Sequence, residues 1–287
     1  MTGAILGGFG AAVAFAMATL CSSRSTRMIG EAPVLGWVMV VGLVAVTPFL
    51  AFGPRPASLD RTTIGWLVVA GVGNACGLLL AYRALRFGQV AVVAPIVSTE
   101  GAITALIALL GGESLSATAW ATLAVIVAGI VLSATHDDDT ERPGAVSRAD
   151  ARHAAGFAVF AALAFGVSLY GTGRLSDELP IAWLVMPARV AGTLAVAVPL
   201  LLSRRLRLTR RAAPLVVAAG LGEVFGFVSF TLGARHGIAV AAVLASQFAA
   251  IAAVMAYAVF GERLARVQVV GVTAIVAGVA VLSALQA

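Results

Sequence analysis

The sequence has no lysine, little charge of any kind and almost nothing able to ligate a metal. Charged residues make up 11% of its 287 positions and apolar residues 61%. A soluble domain has about 25% and about 45–50%. With a mean hydropathy of +1.02, the composition excludes an ordinary soluble domain, and no polar stretch is large enough to fold as an extra one. The 2 cysteines, Cys21 and Cys76, show neither CxxC spacing nor a Cys/His cluster, which argues against a metal or redox centre. His136, His153 and His236 fall at the ends of apolar runs or in the polar break, so no histidine relay crosses a membrane. A GxxxxGK[ST] loop is absent, excluding direct drive by ATP. The scatter of histidine and cysteine also argues against an integral-membrane enzyme, which needs a nucleophile–base or metal constellation. No basic region precedes the first apolar run, so it is a poor secretory signal. No cofactor or metal is expected.

All 19 basic residues are arginine, giving a net charge of +6 and a pI near 10.6. They lie in short loops between apolar runs, which is a pattern of membrane orientation rather than of nucleic-acid binding.

What is there is a series of apolar runs, each near the roughly 20 residues that cross a bilayer as helix. They cover 3–20, 33–52, 62–83, 89–110 and 118–135, then 153–171, 180–202, 213–234, 238–260 and 266–285. Between the two sets lies an acidic, Pro-Gly-containing linker, 136–152. The two sets are copies. Residues 70–88 (AGVGNACGLLLAYRALRFG) and 219–237 (AGLGEVFGFVSFTLGARHG) share their glycines and the closing Arg-x-Gly. In the same register Gly112-Glu113 falls on Gly261-Glu262, and Ile126–Gly129 on Ile275–Gly278; Ala14-Phe15 also answers to Ala164-Phe165. An odd number of spans per copy makes the second enter the bilayer the opposite way. The expected fold is an all-α integral membrane protein of ten transmembrane helices, arranged as two inverted five-helix repeats (1–135 and 153–287). Gly73/Gly77 and Gly222/Gly226 are expected to let helices approach closely.

Five polar residues fall at mid-span: Asn74, Glu100, Arg189, Glu223 and Gln247. A charge at the bilayer centre costs roughly 2.5–3.5 kcal/mol on insertion scales, so such groups pair, face the bundle interior or line water. Convergence at one depth predicts a central substrate-binding cavity at the repeat interface. A purely structural polar lock is the alternative, but two glutamates face one arginine, leaving a carboxyl group that is either protonated or awaits a cation. Tyr82, Ser98, Thr99 and Ser246 are secondary candidates for ligand hydrogen bonds, equally ordinary as helix–helix contacts. Glu113 and Glu262 are expected to fix helix ends, and Pro95, Pro187 and Pro199 to kink their spans.

The second copy, with Gly-Glu-Arg-Leu at 261–264, Gln268, Gly271 and Gly278, resembles an EamA-type domain of the drug/metabolite transporter superfamily. The first copy resembles it through Tyr82, Ala84-Leu85, Gly88, Ala94-Pro95, Gly112-Glu113 and Gly129. Where that resemblance leads one to expect a proline ahead of each Gly-Glu pair stand Glu100 and Ala249, so the reading of Glu100 rests on its burial alone.

The resemblance implies two inverted EamA repeats moving small molecules, often outward. The expected function is a secondary transporter, an exporter of a small metabolite, amino acid or drug-like compound, working by alternating access. It is expected in the lipid bilayer of a bacterial inner membrane with no nucleic-acid partner; protons are a candidate coupling ion, a monomer is compatible with the sequence, and the coupling ion and oligomeric state are left open. The rival is a non-transporting structural or sensory membrane protein. Orientation divides the arguments. With the N-terminus inside, the inner segments hold only Arg55, Arg61, Arg174 and Arg235, while the outer ones hold Arg204, Arg205, Arg207, Arg210 and Arg211 among others. The positive-inside rule thus favours termini outside; the resemblance implies termini inside.

Overall fold

The computed structural model describes residues 2–87, 90–113, 148–252 and 255, with the separate positions 117, 120, 121, 124, 125 and 128. Most of the fifth span, the tenth span, most of the linker 136–152, and the 261–264 turn with Gln268, Gly271 and Gly278 lie outside the described residues. Among those described, every regular element is helical. We number them α1 (Thr2–Ile29), α2 (Glu31–Phe52), α3 (Arg61–Phe87), α4 (Val90–Val97), α5 (Glu100–Leu110), α6 (Arg148–Arg174), α7 (Ile181–Leu202), α8 (Ala213–Ala234) and α9 (Ile238–Ala245).

Six of these helices are long and apolar enough to cross a membrane. A backbone in hydrocarbon must satisfy its own polar groups, and a helix does so within one segment. Their outer faces are apolar: Phe52 is 92% exposed, Leu202 79%, Leu6 70% and Phe225 61%. Rows of large apolar side chains facing outward suit lipid and would be a liability in water. The α1–α2 corner turns on Gly30, whose φ of 87° an L side chain rarely adopts. Within α7, a five-residue π-helical stretch, Thr193–Ala197, separates Ile181–Gly192 from Val198–Leu202. It lies between Pro187 and Pro199, which interrupt the regular hydrogen-bond ladder.

Packing is reciprocal between the halves. α1 packs on α8, and α3 packs on α6. A Cβ at Gly73 would lie 3.0 Å from the Ala164 carbonyl oxygen, and one at Gly222 would lie 3.0 Å from that of Ala14. One at Gly77 would strike the Phe165 ring, and one at Gly226 the Phe15 ring. Matching residues thus make matching contacts. Hydroxyl groups bind the helices further, with Ser168 donating to Ala70 O at 2.7 Å and Thr104 to Gly166 O at 3.0 Å.

The bundle has two distinct ends. At one, Arg174 lies over Trp66 and Arg235 donates to Ser176 O at 2.8 Å. At the same end the Ala239 N–H donates to the Glu113 carboxylate at 3.2 Å, closing the N-terminus of α9. Glu113 therefore fixes a helix end, but that of the other half. At the opposite end Arg83 lies 5.8 Å from the Phe157 ring centroid, and Phe87 meets His153.

The fourth and ninth runs, expected as continuous spans, are each broken. α4 stops at Val97 and α5 resumes at Glu100, while α9 stops at Ala245 and helix resumes at Phe248. At both breaks the ladder tightens: Thr99 N–H donates to Ile96 O, and Gln247 N–H to Leu244 O. Small polar side chains support the turns. Thr99 donates to Ile96 O at 2.7 Å, Ser246 to Val243 O at 2.8 Å, and the Gln247 amide to Val243 O at 2.8 Å.

Candidate functional site

A cavity partly open to the surface lies among α1, α3, α4, α5, α6 and α8. It encloses about 900 Å³ of empty space, its open mouth included. Its residues on α1 run from Phe15 to Thr26 and those on α3 from Asn74 to Tyr82. Both sets lie in the second half of their helix, so the cavity extends from mid-bundle toward the Arg83 end. The Arg174 end is closed by small residues in contact, such as Gly7 against Gly233.

Asn74, Glu100 and Glu223 all line this cavity, with Tyr82. The break before α5 explains how Glu100 is accommodated. It becomes the first residue of that helix, where the positive end of the helix dipole meets a carboxylate favourably. Glu100 is 6% exposed and has neither an ion pair nor a side-chain hydrogen bond among the described residues. Asn74 is 1% exposed, and its Oδ1 has no hydrogen-bond partner among the described residues. Tyr82 donates to Ser22 Oγ at 3.1 Å.

Arg189 stands behind the wall rather than in it. It is fully buried, with Nη2 3.5 Å from Glu223 Oε2 and its guanidinium 5.4 Å from the Phe227 ring centroid. Gly42 on α2 makes the room, since a Cβ there would lie 2.7 Å from Arg189 Cδ. The ion pair is longer than the roughly 2.7–2.9 Å of a strong charge-assisted bond. Gln247, Ser98, Thr99 and Ser246 are not among the cavity-lining residues; they sit at the two helix breaks.

Sequence reasoning missed the cavity's hydroxyl stripe, formed by Thr19, Ser22, Ser23 and Thr26 on α1. Their i, i+3, i+4, i+7 spacing puts them on one helix face. The expected first span ended at residue 20, whereas α1 continues to Ile29, and that shortfall hid the stripe. Phe15, Phe165, Phe227 and Phe248 supply the aromatic lining.

Residues 2–135 match the model of the EamA-like transporter family. A solved crystal structure resembles the chain with a TM-score of 0.78 at 19% identity, covering 99% of this chain and 98% of its own. At that identity the likeness shows the fold alone. No curated protein matches the sequence.

Proposed function

We propose that the protein is a secondary transporter of the EamA-like kind, a reading supported by the family match over residues 2–135, and that it exports a small molecule across a bacterial inner membrane by alternating access. The family match supports a multi-pass membrane transporter acting on a small molecule; substrate, direction and mechanism are our reading. The carrying observation is the mid-bundle cavity, open toward one end, lined by a glutamate unpaired among the described residues, an asparagine, and Glu223 with Arg189 paired behind it. A structural lock would pair its charges and leave no space between them.

In this reading the protein has ten spans in two inverted repeats, with the fifth and tenth contributed by 118–135 and 266–285. The reciprocal contacts of α1 with α8 and α3 with α6 support it. Asn74, Glu100 and Glu223 bind substrate from the wall. Arg189 sets the charge of Glu223, and Gln247 holds the broken ninth span in shape. Protons are the coupling ion, carried by Glu100 or Glu223 when substrate leaves. The broken fourth and ninth spans are the parts that rearrange, since discontinuous helices commonly border transporter sites.

The test is counterflow of labelled compounds into proteoliposomes holding the purified protein, with and without a pH gradient. Accumulation of at least one compound, stimulated by the gradient, is expected. No accumulation across amines, amino acids and sugars would leave the structural or sensory reading.

A further inference from the structure

The wall of the cavity is unbalanced in charge and in hydrogen-bonding type. Among the described residues, two carboxyl groups line it and no cation does. Arg189, at mid-bundle, is fully buried beneath Phe227 and is engaged with Glu223. Among the described residues, Glu100 is left as an uncompensated acidic group on the surface a ligand would touch.

Three of the wall's hydroxyl donors are committed to other protein groups. The Thr19 hydroxyl donates to Phe15 O at 2.8 Å, Thr26 to Ser23 O at 2.8 Å, and Tyr82 to Ser22 Oγ at 3.1 Å. A hydroxyl that has given its proton to its own helix presents only lone pairs. Asn74 Oδ1 adds an acceptor without a partner among the described residues. The polar wall is therefore rich in acceptors, while the rest is phenylalanine and aliphatic carbon.

We propose that the substrate is an amphipathic primary amine in its ammonium form, an inference that rests on the transporter reading. Its three N–H donors meet Glu100, Asn74 and the α1 hydroxyls, and its apolar body packs on Phe15, Phe165 and Phe248. The same wall rejects compounds bearing a carboxylate, which would face Glu100 and Glu223 with no accessible cation among the described residues. It also disfavours a quaternary ammonium ion, which carries charge but no N–H to give.

Equilibrium binding to the purified protein in nanodiscs tests this, using phenethylamine, tryptamine and hexylamine as probes. Phenylalanine, phenylacetate and trimethylphenethylammonium serve as counter-probes. Saturable binding of at least one primary amine is expected. Glu100→Gln should weaken it by about tenfold or more, the worth of a charged hydrogen bond, and Glu100→Asp should restore part of the loss. Phenylalanine, phenylacetate and the trimethyl compound should each bind at least about tenfold more weakly than phenethylamine. Binding of any counter-probe as tight as that of the amine overturns the proposal. So does an amine affinity unchanged in Glu100→Gln, or the failure of all three amines to bind wild-type protein. Wild-type discrimination among ligands keeps the proposal falsifiable if Glu100→Gln misfolds. Counterflow of the same amine in proteoliposomes separates the two readings. Amine binding without counterflow sustains this inference and overturns the transporter reading; counterflow of an acid or sugar without amine binding does the reverse.

Discussion

Arg189 and Glu223 form a pair whose members are unequal in position: the arginine is fully buried, while the glutamate side chain is 15% exposed and borders the cavity. Removing one partner of a buried pair strands the other, typically at a cost of about 3–5 kcal/mol. Arg189→Gln should therefore lower the unfolding temperature of the purified protein clearly. The double variant Arg189→Gln/Glu223→Gln should recover most of that loss, because no bare charge remains. A double variant as unstable as the single one would mean that Arg189 acts through its packing on Phe227 and Met39. Transport gives a separate reading of the same carboxyl group. Glu223→Gln, whose amide oxygen can still accept from Arg189, should abolish proton-stimulated counterflow in a protein that still folds; an unchanged rate and pH profile would reduce Glu223 to a structural role. Asn74, Glu100 and Glu223 are legible in the sequence as cavity residues because each is the most polar group of its span, and burial of such groups demands an explanation. Thr19, Ser22 and Thr26 are not legible, since serine and threonine satisfy themselves on their own helix anywhere in a membrane protein.

The helix pairs are legible for a different reason. A glycine face repeated in register marks a close contact, and Gly226 meets the Phe15 ring as Gly77 meets that of Phe165. Gly226→Val should overpack this contact and cost about 1–3 kcal/mol, read as a fall in unfolding temperature, and Phe15→Ala in the same chain should relieve part of it. The breaks in the fourth and ninth runs escape the hydropathy pattern, because two polar residues scarcely dent an apolar run of about 20. Ser98-Thr99 and Ser246-Gln247 are the only cue, and they carry it through local hydrogen bonding rather than through hydropathy. Glu113 ties the end of α5 to the start of α9, and half-burial pushes its carboxyl group above the usual 4.5, although the hydrogen bonds from Ala239 and Ile238 pull it down. A carboxyl group that binds its proton more tightly when folded contributes stability at low pH. That contribution is lost as pH rises from about 4.5 through the raised folded value. Wild-type unfolding temperature should fall across this window, and Glu113→Gln should flatten that part of the profile. An identical slope in both proteins would assign the pH dependence to other groups.

Across the whole molecule, the arginines and the cavity share an end. Arg24, Arg27 and Arg83 lie at the ends of α1 and α3 toward which the cavity extends, and the loop joining α7 to α8 carries Arg204, Arg205, Arg207, Arg210 and Arg211 there as well. The other end has Arg55, Arg61, Arg174 and Arg235. A short loop holding so many arginines resists translocation, so the charge rule puts the arginine-rich end in the cytoplasm. The cavity then faces the cytoplasm, the side from which an exporter loads, and the N-terminus of α1 lies outside. The family resemblance implies the opposite placement of the termini, and with it a cavity facing outward. Single cysteines decide between them in a chain carrying Cys21→Ala and Cys76→Ala. Ala57 and Thr209 are both exposed, on loops at opposite ends. We expect Ala57→Cys to react with a membrane-impermeant maleimide in intact cells, and Thr209→Cys to react only once the membrane is opened. The reverse pattern would overturn the orientation drawn from charge. It would also mean that this structure shows the protein after release of its cargo rather than before loading.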